Sequence, residues 1–508
     1  MKNKIRAFLV FVLVCFIYSQ DKIDPVYTGS FGSVTINNQV YNHFSIRPEI
    51  AFGKFGLGLD VYFYFDEEGK LYDKNWNFSS GKDTYKTLVD KIYYLRWGLP
   101  YDDMFFRIGA LPNITLGNGS LVNGYSNVMD YPRVRRAGFN LKYKFNNFRL
   151  QFVHSDLKEL EEPGVIGLQG TFEYIKNLDF NFNIVTDINQ KKGLLDSDGD
   201  GYPDFIEPGY ENDPNQWHEN QTFLDLLPDF CNDSTSDCDG MSQLAQDAMQ
   251  QDLDAAELSK DGVSGIAIGT TYSINDNLKI YSEFSQLIGE TSNPDIENLP
   301  DFNTDLGYGV IPFGLKANWE KVNISIDYRF NSKNYLFHFW DQNYDHNRAL
   351  VISDDNNTED SNDDVNKVIT KEHTLYRYGK LKGANITVSS NFIKIFQLTM
   401  SYQHLHGDKW DDSLGGYKTD NNSTFYTKLD IDTSKINKVR IAELFYQQSY
   451  SAKPFSFKPD ENTLFGYNIG VEMADNMILL LRGRKSYVLD DGKYRPVKTT
   501  QIETQIIF

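Results

Sequence analysis

Val322-Asn-Ile-Ser-Ile-Asp-Tyr-Arg-Phe330 is the stretch from which the architecture can be read. Val322, Ile324, Ile326, Tyr328 and Phe330 fall on one side, and Asn323, Ser325, Asp327 and Arg329 on the other. A period of two marks a β-strand, because successive side chains leave opposite faces of the pleat. Elsewhere, Phe139, Leu141, Tyr143 and Phe145 alternate with Asn140, Lys142 and Lys144. Phe396, Leu398, Met400 and Tyr402 alternate with Gln397, Thr399 and Ser401. From residue 26 onward such stretches follow one another with turns between them, so an all-β chain is expected.

A soluble sandwich would alternate too, so composition and loop lengths must decide. Aromatic residues make up 15% of the 508, with 36 Phe and 32 Tyr, yet the mean hydropathy is −0.48. That value excludes a bundle of membrane helices. It suits strands that put apolar residues at every second position only. Short connections at 53–54, 146–147, 176–177, 275–277, 320–321, 392–394 and 475–476 alternate with long ones. The long ones fall at 66–84, 112–136, 156–164, 188–262, 289–307, 331–381, 408–421 and 449–462. Tight turns at one end and long loops at the other describe an up-and-down antiparallel transmembrane β-barrel, here of about 18–22 strands. A chain that starts and ends on the same side needs an even number of strands.

The N-terminus predicts export. Lys2, Lys4 and Arg6 precede an apolar run over 7–18, which reads as a signal peptide over 1–20 and leaves 21–508 as the barrel. Seventy acidic against 50 basic residues give a net charge of −20, which argues against nucleic-acid binding. The final stretch, Thr500-Gln-Ile-Glu-Thr-Gln-Ile-Ile-Phe508, resembles the C-terminal signature of bacterial outer-membrane proteins, an aromatic residue closing an alternating strand. The resemblance implies the outer membrane of a Gram-negative-type bacterium, with lipid against the apolar face. A porin-like channel for passive passage of small solutes is the function this architecture implies, with a homo-oligomer among the assemblies it admits.

Within the 188–262 connection lies Asp196-Ser-Asp-Gly-Asp-Gly-Tyr-Pro-Asp-Phe-Ile-Glu207. Its carboxylates stand at loop positions 1, 3, 5, 9 and 12, with Gly201 at position 6, the spacing by which a twelve-residue loop wraps Ca2+ in oxygen. Asp196, Asp198 and Asp200, the Tyr202 carbonyl, Asp204 and Glu207 are the expected ligands. The loop resembles an EF-hand loop and the type 3 repeat of thrombospondins. Pro203 and Pro208 depart from the EF-hand pattern and favour the second, helix-free form. Cys231 and Cys238 enclose six residues and are expected to form a local disulfide in an exported protein. With an amphipathic stretch over 241–259, these features make 190–261 an extracellular insertion, able to bind a partner or a polysaccharide if the barrel is only an anchor.

The 112–136 segment is Gly-rich in its first half and ends in Arg133-Val-Arg-Arg136. Folded inward, it would set Arg133, Arg135 and Arg136 at a pore constriction. The plainer alternative is that these arginines neutralise lumen acids such as Asp60 and Asp327. No Gly-x-Ser-x-Gly, His-Glu-x-x-His or phosphate-binding loop occurs, so an enzyme is not expected, although a barrel hydrolase assembled in space would show none.

Overall fold

Antiparallel pairing runs without interruption around the chain. The computed structural model describes residues 26–36, 39–72, 74–129, 131, 134–194, 261–292, 303–354, 365–393, 396–411, 414–431 and most of 433–507. The 1–20 stretch read as a signal peptide, the 196–207 stretch, Cys231, Cys238, the 241–259 stretch, Arg133 and Phe508 lie outside the described residues. The strand Lys493–Ile507 returns to the first strand, Val26–Ile36, with Ile507 opposite Thr28 and Ile502 opposite Ser33. Among the described residues this seam closes the sheet into a barrel, the condition for placing strands in lipid.

Phe55–Leu59 and Val61–Phe65 are two halves of one strand interrupted at Asp60, since both pair with Gln39–Phe52. Counted so, the barrel has 20 strands, within the expected range. Tight turns use residues that tolerate left-handed backbone, among them Asn146 at φ 51°, Asn177 at 74° and Asn476 at 61°. Pro312 lies inside Tyr308–Trp319 and cannot donate to a ladder. The register accordingly slips beside it, between Val310 and Phe313 on one side and between Tyr281 and Glu283 on the other.

One connection differs from its sequence reading. Most of 408–421 is strand: Phe396–Asp411 and Gly416–Ile431 stay paired up to Asp411 opposite Gly416. At 16 residues each, these strands exceed the roughly 9–11 that cross a bilayer. Beyond the bilayer both faces meet water, so the alternation that marks a strand is lost.

The faces are inverted relative to a soluble protein. In Val322–Asn331, Ile326, Tyr328 and Phe330 are exposed on the outside, while Asp327 and Arg329 are buried within. Phe44, Phe172, Phe182, Phe284 and Phe313 continue the outer apolar belt, the surface a lipid chain covers.

The barrel also holds an apolar core of its own. Leu111, Ile114, Leu116, Val122 and Tyr125 pack inside it with Tyr335, Phe337, Phe339, Trp340 and Tyr344. Wall residues Val153, Val185, Val263, Ala267 and Ile311 complete the cluster. Each such large side chain contributes about 1.5–3 kcal/mol when removed from water. Two connections, 110–137 and 331–348, therefore fold into the lumen and stay there by burial.

Candidate functional site

The first inward segment is an irregular hairpin. Ile114 and Tyr125 exchange backbone hydrogen bonds of 2.8 and 2.9 Å, and Leu116 N–H donates to the Val122 carbonyl at 3.2 Å. The pairing gives it two faces. Ile114, Leu116, Val122 and Tyr125 press on the wall, whereas Asn113, Thr115 and Asn123 remain exposed. At its tip the Glu283 carboxylate accepts the N–H of Asn118 at 2.7 Å and of Ser120 at 3.0 Å. Gln169 accepts the Gly117 N–H at 2.9 Å, and Lys316 Nζ donates to Asn118 Oδ1 at 3.0 Å. Gly117 has φ +60°, and a Cβ there would stand 2.4 Å from Asn183 Nδ2. Conformation and space both require glycine at that position.

The second segment zips onto the first. Val122 and Trp340 form a parallel bridge. Trp340 N–H donates to Leu121 O and Asn123 N–H to Trp340 O, both at 3.1 Å, and His338 N–H to Ser120 O at 2.8 Å. The Tyr125 hydroxyl donates to Asp345 at 2.7 Å, and Arg136 lies 3.5 Å from the same carboxylate. Lys371 Nζ donates to Phe339 O at 2.7 Å, and Arg348 and Tyr344 reach Asp187 at 3.1 and 2.9 Å. In this setting burial pushes the His338 imidazole down to about 3, with the Arg329 charge acting in the same direction, so it is neutral at physiological pH.

Of the arginines singled out in the sequence, Arg135 pairs with Asp60 inside the barrel and stacks on the Tyr62 ring 3.5 Å from its centre. Asp60 also accepts from Arg47 at 2.9 Å and from the Tyr131 hydroxyl at 2.5 Å. Asp327 is held instead by Arg329 on its own strand, with Tyr281 at 2.9 Å and Asn385 at 3.1 Å. Arg133 is outside the described residues.

The strands that carry Lys428, Glu443, Arg482 and Glu503 bring further charges to the inner wall. Lys428 lies 3.2 Å from Asp430 and 3.6 Å from Glu443, with about a third of its side chain exposed. Arg482 sits 3.4 Å from Glu503, which Arg47 also contacts at 3.0 Å. Among the described residues no group of three or more His, Cys, Asp or Glu is placed to hold a metal ion. His404 bonds Ser423 at 3.0 Å and His406 bonds Asn421 at 2.8 Å.

Sequence reading missed the second inward segment. Its signal was Tyr335-Leu-Phe-His-Phe-Trp340, an apolar run misplaced in a connection that should be wet.

A closed barrel with an apolar outer belt, polar inner wall and inward loops is the build of a transmembrane β-barrel, and that is the fold of this chain. Solved structures it is similar to include OccK11 (OpdR) of Pseudomonas aeruginosa, at 8% identity and a TM-score of 0.31 over 95% of each chain. The outer membrane protein OpdK of the same organism aligns at 9% identity and a TM-score of 0.31, over 96% of this chain and 98% of that one. The copper transporter OprC aligns at 8% identity and 0.35, over 96% and 81%. No family model and no curated protein matches the sequence.

Proposed function

We propose that the chain is a channel for passive passage of small polar solutes across the outer membrane, its lumen narrowed by the 110–137 and 331–348 segments. The observation that carries this reading is the two-faced hairpin. It buries its apolar side in the core inside the barrel and leaves Asn113, Thr115 and Asn123 exposed, while elsewhere the inner wall carries Lys428, Glu443 and Arg482. A segment that served only to fill the barrel would have no use for a polar inner face. Reconstitution into planar bilayers tests it: discrete conductance steps are expected, and a silent bilayer containing folded protein overturns the reading.

The outer insertion belongs to the same proposal. Ca2+ on Asp196, Asp198, Asp200, Tyr202, Asp204 and Glu207 would brace the 190–261 loop, and a Cys231–Cys238 bridge would staple it; the residue spacing supports both. The apolar core inside the barrel supports a second reading, in which the barrel is a plugged anchor and this loop binds a partner or polysaccharide at the surface. That reading predicts no conductance.

A further inference from the structure

We propose that the tight-turn half of the lumen selects small anions, through five inward cations without a carboxylate partner: Arg96, Arg107, Lys142, Lys279 and Lys316. The inference rests on the channel reading and names its solute class. Arg96, Arg107 and Lys142 point inward, since Tyr93, Trp97, Met104 and Tyr143, an odd number of residues away on the same strands, are exposed on the lipid face; Lys279 shares the face of buried Tyr281 and Glu283 and stands opposite Lys316.

None of the five forms an ion pair among the described residues. Arg96 Nη1 donates to Gly98 O at 3.1 Å, Arg107 Nε to Ala110 O at 2.7 Å and Lys316 Nζ to Asn118 Oδ1 at 3.0 Å. Neutral oxygens do not neutralise these cations, although the Glu283 and Asp327 charges act on Lys316 and the Glu49 charge on Arg107. Two pairs stand directly opposite each other in register, Arg96 with Arg107 and Lys279 with Lys316. Like charges facing across a ladder repel, so this arrangement raises the local positive potential at a cost to the fold.

Of the carboxylates close by, two carry their charge unpaired and two are in ion pairs. Glu49 accepts only the Tyr94 hydroxyl and Glu283 only two backbone N–H groups, so both keep their charge and offset two of the five cations. Asp327 is paired with Arg329, and Asp179 with Arg149 at 2.6 Å. The chain as a whole carries −20, so a cationic inner wall runs against the composition. A low-dielectric wall concentrates such a field in the lumen and raises the local density of counter-ions, which are chloride, phosphate or a small carboxylate.

The test is the reversal potential of the reconstituted channel in a potassium chloride gradient. We expect a chloride-to-potassium permeability ratio of roughly three or more, halved or less by Lys279→Gln combined with Lys316→Gln, and again by Arg107→Gln. Inorganic phosphate added to one side should block chloride current in the parent and less in these variants. The exchanges relieve repulsion, so folded barrel should persist, checked by its heat-modifiable migration in detergent gels. Conductance that prefers potassium, or a ratio the variants leave unmoved, overturns this inference alone. No conductance at all overturns the channel reading and this inference with it.

Discussion

The carboxylate of Glu283, on one wall of the barrel, accepts the backbone N–H of Asn118 at the tip of the inward hairpin, 165 residues away in the chain. With the Ser120 N–H it forms a two-point clasp. Hydrogen bonds to a charged acceptor are worth about 1.5–3 kcal/mol each. Glu283→Ala should free the tip while the strand ladder stays intact. The expected outcome is a noisier, larger conductance from a barrel that still migrates as folded. Glu283→Gln, which keeps one acceptor oxygen, should fall between.

Trp340 joins the two inward segments through its bridge to Val122 and is fully buried. Trp340→Ala should remove about 3–5 kcal/mol from the plug. Since wall pairing does not depend on it, the loss should appear as increased single-channel conductance and as protease cleavage within 331–348. Denaturant unfolding of the barrel should shift much less.

Burial and the neighbouring Asp261 push the Glu372 carboxyl, in the loop before the strand Tyr378–Ile393, up to about 9. Gln190 Nε2 donates to it at 3.2 Å, and His373 stands 3.7 Å from Asp261. An unfolded glutamate releases its proton near 4.5. Between those two values the folded state holds one proton more than the unfolded state, so stability falls as pH rises, by at most about 1.4 kcal/mol per unit. Below the lower value and above the upper one this contribution is flat. Glu372→Gln should therefore flatten the pH dependence of urea unfolding between about pH 5 and 9 and stabilise the alkaline side.

Calcium should protect the 190–261 insertion from protease, with half-protection on the order of 10⁻⁴ to 10⁻³ M. Asp198→Ala should abolish that protection without altering the barrel's migration. A reductant should expose the 231–238 region further if the disulfide is present. Cleavage indifferent to calcium in the parent sinks the bracing proposal.

How much was legible in the sequence follows from the range of the interactions. The period of two in Val322–Asn331, the Asn turns at 146 and 177 and the alternation of loop lengths are local properties, and they determined an even-stranded barrel. The carboxylate spacing in 196–207 is equally local and defines a calcium proposal on its own. Where local signal was absent, the reading stopped: the extended strand ends at 396–431 are wet on both faces and read as a loop. The partner of Arg135 is Asp60, 75 residues away, and alternation assigns both to an interior without pairing them. Only the tertiary structure decided that 110–137 and 331–348 share one apolar core within the lumen. The physical reason is that a strand's faces are set by its own pleat, whereas the occupant of a lumen is set by which distant segments bury surface against each other. The sequence by itself determined the barrel; what stands inside it, and which charges remain unpaired there, was decided by contacts between residues far apart in the chain.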